Sequence, residues 1–111
     1  MRLPPKQAFP HAVQYKHFIG TDDWDKPSYD KPLDVPFVRF DEGYNFSQQG
    51  VNATDDMPNA LITLFKKYSL NMPNFINQSE ILFNGGTYTI VKVIPLYFMS
   101  DEIIGYELEV K

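Results

Sequence analysis

The chain has no cysteine, which excludes a disulfide framework, a thiolate metal site and a cysteine nucleophile. That composition suits a reducing compartment. Glycine is sparse, 6 residues against 9 prolines, and none of it forms a phosphate-cradling loop. No hydrophobic run approaches the length of a membrane span, so no membrane partner is expected. Basic residues are outnumbered, 10 Lys and Arg against 14 Asp and Glu, for a formal net charge of −4. A protein that grips nucleic acid through its phosphates needs a basic stripe, and none is visible. The opening "MRLPPKQAFP" lacks the apolar core of a signal peptide. The expectation is a protein made and kept in the cytosol, with the sequons at Asn52 and Asn77 read as chance matches.

What is present is 111 residues, 43% hydrophobic and 15% aromatic, enough for one domain spanning 1–111 with a single core. Many β-branched and aromatic residues among the prolines favour short strands over long helices. Residues 1–10 hold three prolines and read as an extended arm of the kind that often lies on a neighbour. From His11 to Ile19 a period of two sets Val13, Tyr15, His17 and Ile19 on one face, a first strand. A polar connection over 20–34 follows, with two prolines and five aspartates. In "VPFVRFDEGYNF" Val38, Phe40, Tyr44 and Phe46 share a face, a second strand bent near Gly43. A second polar loop covers 47–59.

"ALITLFKKYS" is ambiguous. Leu61, Leu64, Phe65 and Tyr68 fit a helical stripe, whereas Ala60, Ile62 and Leu64 fit strand alternation, and period alone favours a short helix capped by Asp55 or Asp56. "EILFNGGTYTIVKVIP" is the clearest local signal, a hairpin turning at Asn84-Gly85-Gly86. Residues 97–102 connect it to a last strand with Ile104, Tyr106, Leu108 and Val110 inward and Glu107, Glu109 and Lys111 outward. The sum is a mainly β fold of five to six antiparallel strands with long polar loops.

Chemistry is scarce in this pattern. His11 and His17 share a strand face but stand roughly 20 Å apart on a straight strand, too far for one metal. His17 with Asp22, Asp23 or Asp25 could form a carboxylate-rich site, though a partly buried strand histidine beside a solvated loop is the plainer reading. No serine lies in a nucleophile elbow. Glu107 and Glu109 invite a paired-carboxylate reading but fit better as the outward side of a half-buried strand. No enzymatic activity and no cofactor are expected. Trp24, between Asp23 and Asp25 and near Tyr29, either anchors an interface or folds back as a lid on the barrel end.

The stretches "LPPKQAFPHAVQYKHFIGTDDWDKPSY", "VRFDEGYNFS", "NALITLF" and "GGTYTIVKVIP…IGYELEV" resemble, in order and over nearly the whole chain, the small minor capsid proteins of tailed phages and prophages of low-GC Gram-positive bacteria. The resemblance implies a small single-domain β-barrel or sandwich. It also implies a structural virion protein of the head-completion or stopper class, assembled in the bacterial host cytoplasm. Such a protein forms a homo-oligomeric ring between portal or adaptor proteins above and a tail-completion protein below, with packaged DNA adjacent but not read by sequence. The family pattern makes 60–67 a strand, against the helical period. It implies that loop 47–59, with Asp55 and Asp56, reaches the channel and repels DNA phosphate. Trp24, Tyr29, Asp55, Asp56, Glu107 and Glu109 are the candidate interaction residues. The rival from another class is a small β-sandwich module that binds a ligand or protein through its loop aromatics.

Overall fold

The computed structural model describes residues 4–42, 58–69, 72–97, 99 and 101–111. After a 3-10 turn at Lys6–Ala8 the chain forms β1 (His11–Lys16), β2 (Phe18–Thr21), β3 (Pro27–Tyr29), β4 (Leu33–Asp41), β5 (Ala60–Phe65), β6 (Glu80–Phe83), β7 (Gly86–Tyr97) and β8 (Ile103–Val110). Six strands close into an antiparallel barrel in the order β1-β4-β5-β8-β7-β6, and β2 and β3 form a separate two-stranded sheet. Closure leaves the six-strand barrel no free edge among the described residues, which a small all-β domain must otherwise protect. The interior is filled rather than hollow. Val13, Tyr15, Val38, Phe40, Ile62, Leu64, Ile81, Ile90, Leu108 and Val110 are among the residues that make one buried cluster.

The β6–β7 hairpin forms where the sequence points to it. Asn84 and Gly85 both take positive φ, 50° and 79°, the pair of left-handed residues that a two-residue type I′ turn requires. On β8, Leu108 and Val110 enter the core and Tyr106 packs against it. Gly105 has a steric reason, because a Cβ there would collide with the Leu64 carbonyl and lie 2.8 Å from the Phe65 ring. Any side chain at that position would push β8 off β5.

Segment 60–65 is a strand, and its burial explains why its pattern looked helical. Ala60, Ile62 and Leu64 point into the core, while Leu61 and Phe65 on the other face are also buried, at 7% and 5% exposure. The N-terminal segment supplies the cover: Phe9 stands edge-on to Phe65 with ring centroids 5.5 Å apart. Residues 4–9 thus pack on their own barrel.

Three expectations are corrected. The first strand does not run straight to Ile19: it breaks at His17, and Ile19 is 64% exposed. The cause is a buried polar knot in which the Phe18 N–H donates to Ser79 Oγ at 2.9 Å and Tyr15 Oη lies 2.9 Å from His17 Nδ1. The chain is thereby turned off the barrel. Second, the polar stretch 20–34 is not simply a loop, since it contributes to the β2–β3 hairpin and the start of β4. Third, β4 begins at Leu33 and changes face through a bulge. Between the pairs His11↔Val38 and Val13↔Val35 the register shifts by one residue, so Val35 and Val38 both enter the core despite their odd spacing. Phe37, at φ 58°, absorbs the bulge, and the fully buried Ser69 hydroxyl donates to Pro36 O at 2.8 Å and Phe37 O at 3.1 Å. Tyr44, Phe46, Asp55, Asp56 and most of loop 47–59 lie outside the described residues.

Candidate functional site

The β2–β3 hairpin is the feature that stands off the barrel. Its tip is held by one carboxylate: Asp22 Oδ1 accepts the N–H groups of Trp24 (2.8 Å) and Lys26 (2.9 Å). Asp22 N donates to Lys26 O at 2.9 Å, and Asp25 N to Asp22 O at 3.0 Å. Asp25 takes a left-handed φ of 59°, which aspartate tolerates better than most residues. At the base, Asp30 N donates to His17 O at 2.8 Å. The local chemistry that makes an aspartate-rich stretch look like a metal loop therefore serves to lock a turn.

Trp24 rides on that turn at 82% exposure. It does not fold back as a lid. Tyr29 lies nearer the base, half-buried, its ring 5.9 Å from Phe18 and under Lys16 Nζ at 5.3 Å. Partial burial pushes the Tyr29 phenol above the ordinary tyrosine value, and the Glu80 charge adds to the effect. Glu80 itself sits 3.6 Å from Lys16 Nζ in a partly exposed ion pair.

Glu107 and Glu109 belong to another part of the surface. β8 and β1 are three places apart in the six-strand barrel, so these glutamates are on the wall opposite the strand that leads into the hairpin. Glu107 lies opposite Thr63 on β5 and Ile94 on β7, and Glu109 opposite Leu61 and Lys92. Both are half-buried. Glu107 also lines a groove with Arg39 and Thr63 against which Pro4, Ala8 and Phe9 lie. Among the described residues the candidates thus do not converge on one spot.

The histidines are held by local bonds. His11 Nδ1 accepts the Phe40 N–H at 3.1 Å and its ring stands edge-on to Phe83, 5.3 Å between centroids. His17 is taken into the Tyr15 knot. Among the described residues no group of three or more His, Asp or Glu side chains could hold a metal ion, and no helix is long and apolar enough to cross a membrane.

One surface feature escaped the sequence reading. Lys6, Gln7, Phe9, Pro10 and Phe37 line a concavity of about 540 Å³. The Lys6 ammonium lies over the Phe37 ring, 3.8 Å from its centroid; Phe9 in turn packs on Tyr68, whose ring is 5.6 Å away and whose hydroxyl donates to Pro4 O at 2.7 Å. Proline inside a strand pattern, here Pro36, was the available signal, since it marks a bulge that could turn the next side chain outward.

Fold and surface together define a small, side-chain-filled β-barrel that presents a projecting aromatic hairpin and an arm-lined concavity. The chain belongs to the minor capsid protein family, whose model matches residues 5–110. It is accordingly a phage structural protein and a component of the virion. Neither the curated proteins nor the solved structures yield a match.

Proposed function

We propose that this protein is a ring-forming head-tail connector of the head-completion or stopper type, joining the DNA-filled capsid to the tail. Its role is geometric and not enzymatic. The observation that supports this best is the pairing of a closed, filled barrel with an ordered hairpin carrying an 82% exposed Trp24. A rigid body with a projecting aromatic anchor suits a subunit whose work is to hold neighbours at a fixed angle. On this reading the ring contacts portal or adaptor proteins above and a tail-completion protein below, lies beside packaged DNA without reading its sequence, and assembles in the host cytoplasm. Trp24, Tyr29, Glu107 and Glu109 make contacts with neighbouring copies or partners, and the loop that carries Asp55 and Asp56 reaches the channel. A ligand-binding module would need Trp24 and Tyr29 on one platform, whereas Tyr29 is engaged by Phe18 and Lys16 near the hairpin base and Trp24 stands at its tip.

The test is deletion of the gene from an inducible prophage, with lysates imaged by negative-stain electron microscopy and capsid DNA measured. Separate tails and tailless heads that have lost their DNA are expected. Intact, infectious tailed particles would sink the proposal.

A further inference from the structure

We propose that Trp24 of one copy docks into the concavity lined by Lys6, Phe9, Pro10 and Phe37 of the next copy, and that this contact, repeated, builds the ring. The inference rests on the connector reading and adds to it the two surfaces that meet.

Four observations carry it. First, Trp24 is a large apolar side chain held 82% exposed on a hydrogen-bonded tip. Little ordering is left to lose when a partner covers it, which is what an interface anchor needs. Second, the concavity is apolar at its centre, and Phe37 is turned outward by the bulge at 38% exposure. A cation already sits over that ring, so an indole arriving there finds both an aromatic neighbour and Lys6.

Third, the charges are complementary. Asp23 and Asp25 flank Trp24 and are exposed, while the concavity is lined by exposed Lys6, and exposed Lys67 lies on the turn after β5. Lys67 Nζ stands 5.9 Å from the Tyr68 ring that packs on Phe9. The Asp23 and Asp25 carboxylates that flank Trp24 would thus meet the Lys6 ammonium. Lys26 on the tip and Asp41 and Glu42 in the adjoining groove make a second pair of opposite sign, an arrangement that sets orientation.

Fourth, one molecule cannot satisfy itself. The hairpin leaves the C-terminal end of β1, after Lys16, whereas Pro10 precedes its N-terminal end and Phe37 adjoins Val38, the partner of His11. Six strand residues separate the two by roughly 20 Å. The tip and the concavity are different patches on one chain, so their union is heterologous. Such contacts propagate head to tail and close as a ring when the angle allows.

The experiment uses phage particles, and the absence of cysteine makes it clean. Asp23→Cys and Gln7→Cys are introduced together and separately, and purified particles are treated with a short bismaleimide. The double variant is expected to give a ladder of covalent multimers, and each single variant only monomer. Dimers from Asp23→Cys alone, or no ladder from the double variant while negative stain shows the ring in place, would overturn the docking inference and leave the connector reading standing. A chain located away from the neck, or missing from particles that are otherwise complete, overturns both. A second arm guards against folding defects. Trp24→Ala is expected to keep the wild-type circular dichroism spectrum while subunit association falls about thirtyfold. Asp23→Lys should weaken assembly and Lys6→Glu should restore it in that background. Failure of that rescue, with both variants folded, counts against the charge match and the inference with it.

Discussion

Tyr15 is the residue on which three parts of the chain meet. Its hydroxyl is buried with the side chain at 1% exposure, lies 3.1 Å from Ser79 Oγ, and accepts the Ile76 N–H at 3.2 Å. Ser79, fully buried, in turn accepts the Phe18 N–H. The knot ties the end of β1, the root of the hairpin and the segment entering β6, so Trp24 inherits its placement from residues far from it in sequence. Ser79→Ala removes a partner from one partly buried N–H and one buried hydroxyl, and should cost about 1–3 kcal/mol of stability in urea unfolding. A cost near zero would mean that the knot does not fix the hairpin root. Tyr29 gives a second reading at this scale. Its phenol is raised above the ordinary 10.0 by burial first and Glu80 second, so the neutral form is favoured in the folded state. The corresponding stability is fully present below the ordinary tyrosine value and is lost as pH rises through the folded one. Phenolate absorbance, compared between wild type and Tyr29→Phe, should place the Tyr29 ionisation above that of free tyrosine. Ionisation at or below it would contradict the described packing.

Among the elements, β5 and the N-terminal segment depend on each other. Inward Ile62 and Leu64 belong to the barrel, while Leu61 and Phe65 on the other face are buried where Phe9 stands edge-on to Phe65 and Pro4 and Ala8 lie alongside. Phe9→Ala leaves a cavity over β5 and should destabilise the protein by about 3 kcal/mol or more, measured by thermal or denaturant unfolding. A loss below about 1 kcal/mol would show that the arm is not part of the folded unit. The same arrangement decides what sequence could disclose. The β6–β7 hairpin was legible because Asn84-Gly85 is a local signal, complete within two residues. β5 was not, since a strand covered on both faces loses its period of two and chance supplies a helical one; the family resemblance, not periodicity, gave the strand. The break at His17 was also hidden, because it is caused by Ser79, some sixty residues away. For the candidate site, the sequence left Trp24 open between an exposed anchor and a lid on the barrel end, and the concavity at Phe37 required a bulge whose carbonyls accept from Ser69, more than thirty residues away.

For the molecule as a whole, the strand order sets the condition for folding. β1 pairs with β6 through Gln14↔Leu82, and β8 lies between β5 and β7, so no part of the barrel is complete until distant strands have met. Loop-closure entropy must be met before these contacts stabilise anything. The last strand is the decisive case. β8 pairs along both edges, from Ala60↔Val110 to Phe65↔Gly105 on one side and from Ile90↔Val110 to Tyr97↔Ile103 on the other, and it contributes Leu108 and Val110 to the core. Ending the chain after Glu102 would strip the ladder from β5 and β7, leave their N–H and C=O groups unpaired, and open Ile62, Ile90 and Leu64 to water. The inward faces of the remaining strands would keep their apolar residues but lose the strand that closes over them. The truncated chain should therefore show no cooperative unfolding transition by circular dichroism and should associate through its open strands, whereas the full chain unfolds in one transition. If a soluble truncated chain unfolds cooperatively, the barrel does not depend on closure. The fixed angle between neighbours that a ring requires would then need another source.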